Sequence, residues 1–160
     1  MTARDNALAL MPGGWDHPDP FVTAFAVAAA DIDGFGHVNN AVYVRWINDC
    51  AWAHSGALGL DFARYRALDA GVVVIRHEID YLSAAMPGET ALVATWITAN
   101  DGRLRLSRRF QLRDSASGRT LARAVTDFAA IALSTGRPRR MPDAFRTGYP
   151  VTWPQPGPTA

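Results

Sequence analysis

The sequence predicts an α+β fold, a strand, one long buried helix and then four strands, with an antiparallel sheet of about five strands in all. Three observations predict it. From Asn39 to Leu58 neither proline nor glycine intervenes until Gly56, and Tyr43, Ile47, Cys50, His54 and Ala57 recur at steps of three and four, the period of a helix with a wide apolar face. After Gly71 the chain turns to strand-like runs rich in β-branched and apolar residues. Those runs are separated by the turn signals Met86-Pro87-Gly88-Glu89, Asn100-Asp101-Gly102 and Ser115 to Gly118, and short hairpin turns demand antiparallel neighbours.

Taken in order, Phe21 to Ala30 is an apolar run of strand length, and Asp31 to Asn40 is a polar, glycine-containing turn. The helix follows, flanked by Trp46 and Ala53 and stopped by Gly56 and Gly59. Residues 60–70 read as a short second helix, Val72 to Leu82 as a strand, and Thr90 to Thr98 as the next. In the third of these later strands Leu104, Leu106, Phe110 and Leu112 alternate on one face, and Arg108 falls on that same apolar face. Leu121 to Leu133 is the last strand, with Val125, Asp127, Ile131 and Leu133 on one face. Residues 1–20, punctuated by Pro12, Gly13, Gly14, Pro18 and Pro20, read as an irregular leader. Residues 21–135 read as the folded domain, and 136–160 as a loose Pro- and Arg-rich tail.

A chain of 160 residues suits a single core, and 49% hydrophobic with 19% charged residues is globular composition. A formal net charge of +1 gives no drive toward nucleic acid. Basic residues cluster within 103–123 and 137–146, which suits an anionic small molecule better than a DNA-binding face. No stretch approaches the ~20 apolar residues of a membrane span. The run Ala7 to Met11 is too short for the apolar region of a signal peptide. The single cysteine, Cys50, allows no intrachain disulfide and suits a cytoplasmic protein.

The densest polar cluster lies between the first strand and the helix. Asp31, Asp33, His37, Asn39 and Asn40 fall within ten residues. A helix start leaves four backbone N–H groups without intrahelical partners, and an Asp or Asn that only caps them is the ordinary reading of a lone residue there. Two carboxylates, a histidine and two asparagines are more than a cap requires. The helix N-terminus offers free N–H donors and a positive dipole end, which polarise a carbonyl while a nearby carboxylate attacks it or activates water. Gly34-x-Gly36 also opens like a dinucleotide-binding fingerprint, but Asn39 stands where the third glycine belongs and no βαβ unit follows, so nucleotide binding is rejected.

The pattern Asp31-x-Asp33-x-x-Gly36-His37-Val38-Asn39-Asn40-x-x-Tyr43-x-x-Trp46 resembles the signature of hotdog-fold acyl-CoA thioesterases, closest to the 4-hydroxybenzoyl-CoA thioesterase-like group. Its His-Val-Asn-Asn run also resembles a segment of plant acyl-carrier-protein thioesterases. Val73 to Tyr81, then Ala84 to Gly88, and Thr135-Gly-Arg-Pro138 extend the resemblance over roughly residues 21–142. The resemblance implies a hotdog fold, a long central helix wrapped by the sheet, in a homodimer or homotetramer with active sites at the dimer interface. It implies hydrolysis of an acyl-CoA or acyl-carrier-protein thioester with no metal and no cofactor beyond the coenzyme A of the substrate. Asp33 falls where the family has its catalytic carboxylate, nucleophile or general base. Asn40 falls where a backbone N–H polarises the thioester carbonyl, and Gly36 where the turn approaches substrate. His37 matches the plant enzymes' histidine, whereas Phe35 stands where those enzymes carry asparagine.

Elsewhere, Tyr43 and Trp46 read as helix-face aromatics, with Tyr43 also a candidate substrate contact, and His54 and Cys50 as packed core residues. His37, His54 and His77 lack metal-ligand spacing. Arg76 and His77 are candidates to meet a coenzyme A phosphate, as are Arg103, Arg105, Arg108 and Arg109. Arg108 stands out among them for its apolar neighbours, and Asp127 is a candidate partner for such an arginine. Two other readings compete, an acyl-CoA hydratase on the same fold and a module that binds an acyl thioester without turnover.

Overall fold

The computed structural model describes residues 14–156, so the first thirteen residues of the expected leader and the last four of the expected tail lie outside it. Strand β1 (Phe21–Ala26) leads through a single 3-10 turn (Ala29–Asp31) to helix α1 (Asn40–Ala57) and helix α2 (Phe62–Ala67). Strands β2 (Gly71–Tyr81), β3 (Thr90–Asn100), β4 (Arg105–Asp114) and β5 (Thr120–Ile131) follow, then helix α3 (Asp143–Gly148). The five strands form one antiparallel sheet in the order β1-β3-β4-β5-β2, and the fold is the α+β hotdog fold. β1 pairs antiparallel with β3 in the register Phe21↔Thr95 to Ala26↔Thr90. No helix among the described residues is long and apolar enough to cross a membrane.

Helix α1 forms where the sequence predicts it. Asn39 is its N-cap, accepting the Ala41 N–H on Oδ1 at 2.9 Å, and Gly59, with φ +76°, ends the segment in a conformation that suits glycine. Its buried stripe is Tyr43, Trp46, Ile47, Cys50 and His54, which keeps the helical period. Ala57 departs from the expectation and is exposed, while Ser55 is buried.

Contacts divide the chain into two compact units. The first takes residues up to Ala51 with Ile79–Thr95 and Phe110–Arg123. In its core Trp46 stacks on Phe25, with ring centroids 6.0 Å apart, and meets the tilted ring of Tyr43 at 5.5 Å. The Cys50 thiol, wholly buried, points at the Val93 carbonyl at 3.4 Å. The second unit takes Trp52–Glu78, Trp96–Arg109 and the chain from Ala124. Leu60, Tyr65, Ile97, Phe128 and Phe145 are among its core residues.

Two expectations change here. The tail is not loose throughout: Met141, Phe145 and Tyr149 are buried, and Asn100 Nδ2 donates to the carbonyls of Phe145 and Tyr149 at 3.2 and 3.1 Å. Phe145 on α3, with Met141 and Tyr149 flanking the helix, turns apolar side chains into the core, which outweighs the surrounding Pro-Arg composition. In β5, Val125, Asp127 and Ile131 do share a face, but that face is half-buried, and Ala124, Thr126, Phe128 and Ala130 on the other face are the buried ones.

Candidate active site

The turn from Asp31 to Asn40 is closed by backbone bonds at its base. Ile32 and Val38 form an antiparallel bridge, and the Asn39 N–H donates to the Asp31 carbonyl at 2.8 Å. At its tip the Asp33 N–H donates to the His37 carbonyl (2.9 Å) and the Gly36 N–H to the Asp33 carbonyl (3.0 Å). Gly36 takes φ +77°, the left-handed conformation that an L side chain strains to adopt. The Asp33 carboxylate accepts the Phe35 N–H on Oδ1 at 2.9 Å, an Asx turn that fixes its direction. Asp33 is half-buried and His37 is exposed.

Asn39 caps the helix, so Asn40 is its first residue, and the geometry of a helix start leaves the Asn40 N–H outside the intrahelical ladder. The Asn40 carbonyl accepts from the Tyr81 hydroxyl at 3.3 Å. Tyr81 meets the Tyr43 ring edge-to-face at 5.2 Å, and Tyr43 Oη accepts the Ala85 N–H at 2.9 Å. Burial holds both phenols above the ordinary tyrosine range. Val38 N–H donates to the Ala85 carbonyl, which ties the chain after β2 to the turn.

These elements enclose a cleft of about 270 Å³. Asp33, His37, Asn40 and Ser83 supply its polar lining, and Phe35, Tyr43, Tyr81 and Leu82 are among its apolar residues. Phe35 is 87% exposed at the tip of the turn. The structure thus brings together Asp33, His37, Asn40 and Tyr43 of the sequence-predicted site, with Gly36 shaping the turn that carries them. Sequence reasoning missed Leu82 and Ser83, and gave Tyr81 no role. Their signal was the resemblance around Val73 to Tyr81 and Ala84, which marks the segment without saying which side chain faces the turn.

Arg76, His77 and Arg108 do not line the cleft. The Arg76 guanidinium is held by Glu78 and lies 3.7 Å from Asp127, which itself accepts from Ser107 at 2.6 Å, so two carboxylates already meet its charge. His77 Nδ1 bonds the buried Thr126 hydroxyl at 2.9 Å, and burial lowers its pKa, which favours a neutral ring. Arg109 lies over the Trp153 ring at 5.4 Å.

Arg108, 1% exposed, is an interior residue rather than a phosphate contact. Alternation in β4 points it to the apolar side, as the sequence indicates, but there it joins a buried polar group. Its Nη1 meets His54 Nδ1 at 2.8 Å and its Nη2 donates to Ser55 Oγ at 3.1 Å. A guanidinium only donates, so His54 Nδ1 accepts and the ring is neutral. Burial, with the arginine charge beside it, pushes the His54 pKa down to about 3. The Tyr149 hydroxyl donates to Ser55 Oγ at 2.9 Å and lies 2.5 Å from the Tyr65 hydroxyl. Burial raises the Tyr65 pKa, so that phenol keeps its proton.

Asp33 thus stands beside the start of α1 in a half-apolar cleft on a hotdog fold. The model of the Thioesterase-like superfamily matches residues 27–148, and the chain belongs to that family. Among solved structures, the 1,4-dihydroxy-2-naphthoyl-CoA thioesterase from Synechocystis is 23% identical, with 82% of this chain and 96% of that one covered and a TM-score of 0.73. The hypothetical protein SAV2348 from Staphylococcus aureus, solved in complex with CoA, is 22% identical over 86% of this chain and 90% of that one, with a TM-score of 0.75. A predicted thioesterase from Bacillus stearothermophilus is 26% identical over 87% of this chain and all of that one, with a TM-score of 0.72. No curated protein matches the chain.

Proposed function

We propose that the chain hydrolyses an acyl-CoA, or the same acyl group on a carrier protein, to the free acid and thiol. The observation that carries this is the Asp33 carboxylate, held by the Phe35 N–H in a cleft that also takes in the first residue of α1. In this reading the thioester carbonyl oxygen accepts from the Asn40 N–H, where the helix dipole favours developing negative charge. Asp33 either attacks the carbonyl carbon directly or removes a proton from an attacking water. By direct attack Asp33 forms a mixed anhydride as the carbon–sulfur bond breaks and the thiolate leaves. Water then cleaves the anhydride to the free acid, restoring the Asp33 carboxylate and giving its proton to the thiolate. As general base, Asp33 takes the proton of a water that adds to the carbonyl carbon, the carbon–sulfur bond breaks, and that proton passes to the departing thiolate. Thioester carbonyls are electrophilic enough for a carboxylate and an oxyanion donor to act without a metal. His37, exposed at the same cleft, is the candidate to orient water or the departing thiol.

The cofactor in this reading is coenzyme A, as part of the substrate, a likeness supported by the CoA complex of the Staphylococcus aureus relative. The cleft is small for a whole acyl-CoA, which suits the acyl end alone. The reading includes a homodimer or homotetramer. β2 lies at the sheet edge, and Val73, Val74 and Ile75 on it are exposed, a surface that another copy would cover. A cytoplasmic setting suits the single, buried, reduced Cys50.

The test is thiol release from a panel of aliphatic and aromatic acyl-CoAs with the parent and Asp33→Asn side by side. Cleavage by the parent that falls about 10³-fold in the variant is expected. Equal rates overturn the assignment of Asp33. Retention of intact acyl-CoA favours a binding module, and water addition to an enoyl thioester favours a hydratase. Single turnover in ¹⁸O-water probes the two roles of Asp33, since label in the Asp33 carboxylate marks direct attack followed by hydrolysis at the aspartyl carbonyl.

A further inference from the structure

Asp31, two residues before Asp33, is 4% exposed and has every polar group engaged. Its N–H donates to the Ala28 carbonyl at 3.0 Å, and its carbonyl accepts the Asn39 N–H at 2.8 Å. Carboxylate Oδ2 accepts the Ala28 N–H at 3.0 Å, and Oδ1 accepts from Arg45 Nη2 at 2.7 Å. The last of these bonds differs in kind. The other three join neighbours along the turn, whereas Arg45 sits on the second turn of α1, with its side chain 55% exposed. One residue therefore links three places: its carboxylate reaches the exit from β1 and the helix body, and its main-chain carbonyl reaches the helix cap.

We infer that Arg45 is a positioning residue, which acts through Asp31 to fix the Asp33 turn against the first turns of α1. Asp33 stands between Ile32, bridged to Val38, and the turn closed on His37. Its backbone is anchored on the N-terminal side by Asp31, while the Asn40 N–H is anchored by the helix itself. The Arg45–Asp31 bond is the side-chain link from the helix body to the start of the turn. Catalysis by a carboxylate and an N–H donor depends on their separation to a fraction of an ångström, because reacting atoms must meet in a near-attack geometry. A pair serving stability alone would leave that separation to the backbone. A pair that joins the two anchors sets it.

This inference rests on the reading of Asp33 as the reacting group, so its test carries one arm that needs no turnover. Amide hydrogen exchange is followed in the parent, Arg45→Met and Arg45→Lys, with Asp31→Asn as a second break of the same bond. The Asp33, Gly36 and Asn39 amides, each bonded within the turn, are expected to exchange about 10-fold faster in Arg45→Met while β3 and β4 amides keep their parental rates. In the activity arm, kcat on the best thioester is expected to fall about 10-fold with KM nearly unchanged, and Arg45→Lys to recover most of both effects. Parental protection of the three amides overturns the inference. So does loosening of those amides with kcat intact, or a rise in KM alone. Were Asp33→Asn to keep the parental rate, the functional reading would fall, and the amide arm would still decide whether Arg45 holds the turn.

Discussion

The Asp31–Asn40 turn and the cluster around Arg108 each combine charged, imidazole and aromatic groups, and they use them in opposite ways. In the turn, main-chain bonds close the loop, the Asp31–Arg45 pair ties its start to the helix, and side chains such as Asp33, His37 and Asn40 reach a cleft. In the cluster, the side chains hold one another: Arg108 binds His54 and Ser55, Tyr149 binds Ser55, and all four are buried. The difference teaches where to look for chemistry. Polar groups satisfied by each other inside the protein specify packing. Polar groups positioned by backbone and left facing a cavity are available to a substrate.

The sharpest way to break this contrast is to substitute one residue from each region. Asp33→Asn is expected to lose about 10³-fold in thiol release with its melting temperature within a few degrees of the parent. Arg108→Met is expected to do the reverse. It leaves His54 Nδ1 without its donor and costs about 3 kcal/mol, or on the order of 10 °C by calorimetry, while folded protein keeps its turnover. A melting temperature unchanged in Arg108→Met would remove the structural role given to that cluster.

A subtler difference is in pH. Because His54 is held near pKa 3 in the fold and ordinarily titrates near 6.5, the unfolded chain binds the extra proton between those values. Stability from this group is present above about pH 6.5 and is lost as pH falls toward 3. Urea unfolding is expected to show about 2 kcal/mol less stability from this site at pH 5 than at pH 7. His54→Gln should flatten that slope, and an equal slope in the variant would assign it elsewhere. The smallest effect belongs to the cap: Asn39→Ala is expected to cost about 1 kcal/mol, measured by the same unfolding, because the Ala41 N–H loses its acceptor.

The helix and the later strands were legible because their periods are local, and Asn39 with Gly59 mark the helix ends in plain sequence. The site was legible as far as its residues are contiguous. Asp33, His37 and Asn40 lie on one short segment, so a motif could name them. Leu82 and Ser83 reach the cleft only through the pairing that ends β2, where both N–H groups donate to the Leu121 carbonyl, and no local pattern encodes that. Arg108 shows a different limit. Alternation gave its face correctly, but a charge on an apolar face reads the same whether it awaits a ligand or has found His54. For the last helix, the four-residue spacing of Met141, Phe145 and Tyr149 was present, but Pro and Arg around it dominated the composition.

The hydrogen bond from Phe35 to Asp33 has one more consequence, for how this cleft can change. The donor is the backbone N–H, and the Phe35 side chain, standing out at the tip, takes no part in aiming the carboxylate. Any residue except proline can donate that bond. The position therefore separates what a variant cleft accepts from whether its acid is correctly aimed. A library at residue 35 would sample new rims around an unchanged Asp33 carboxylate.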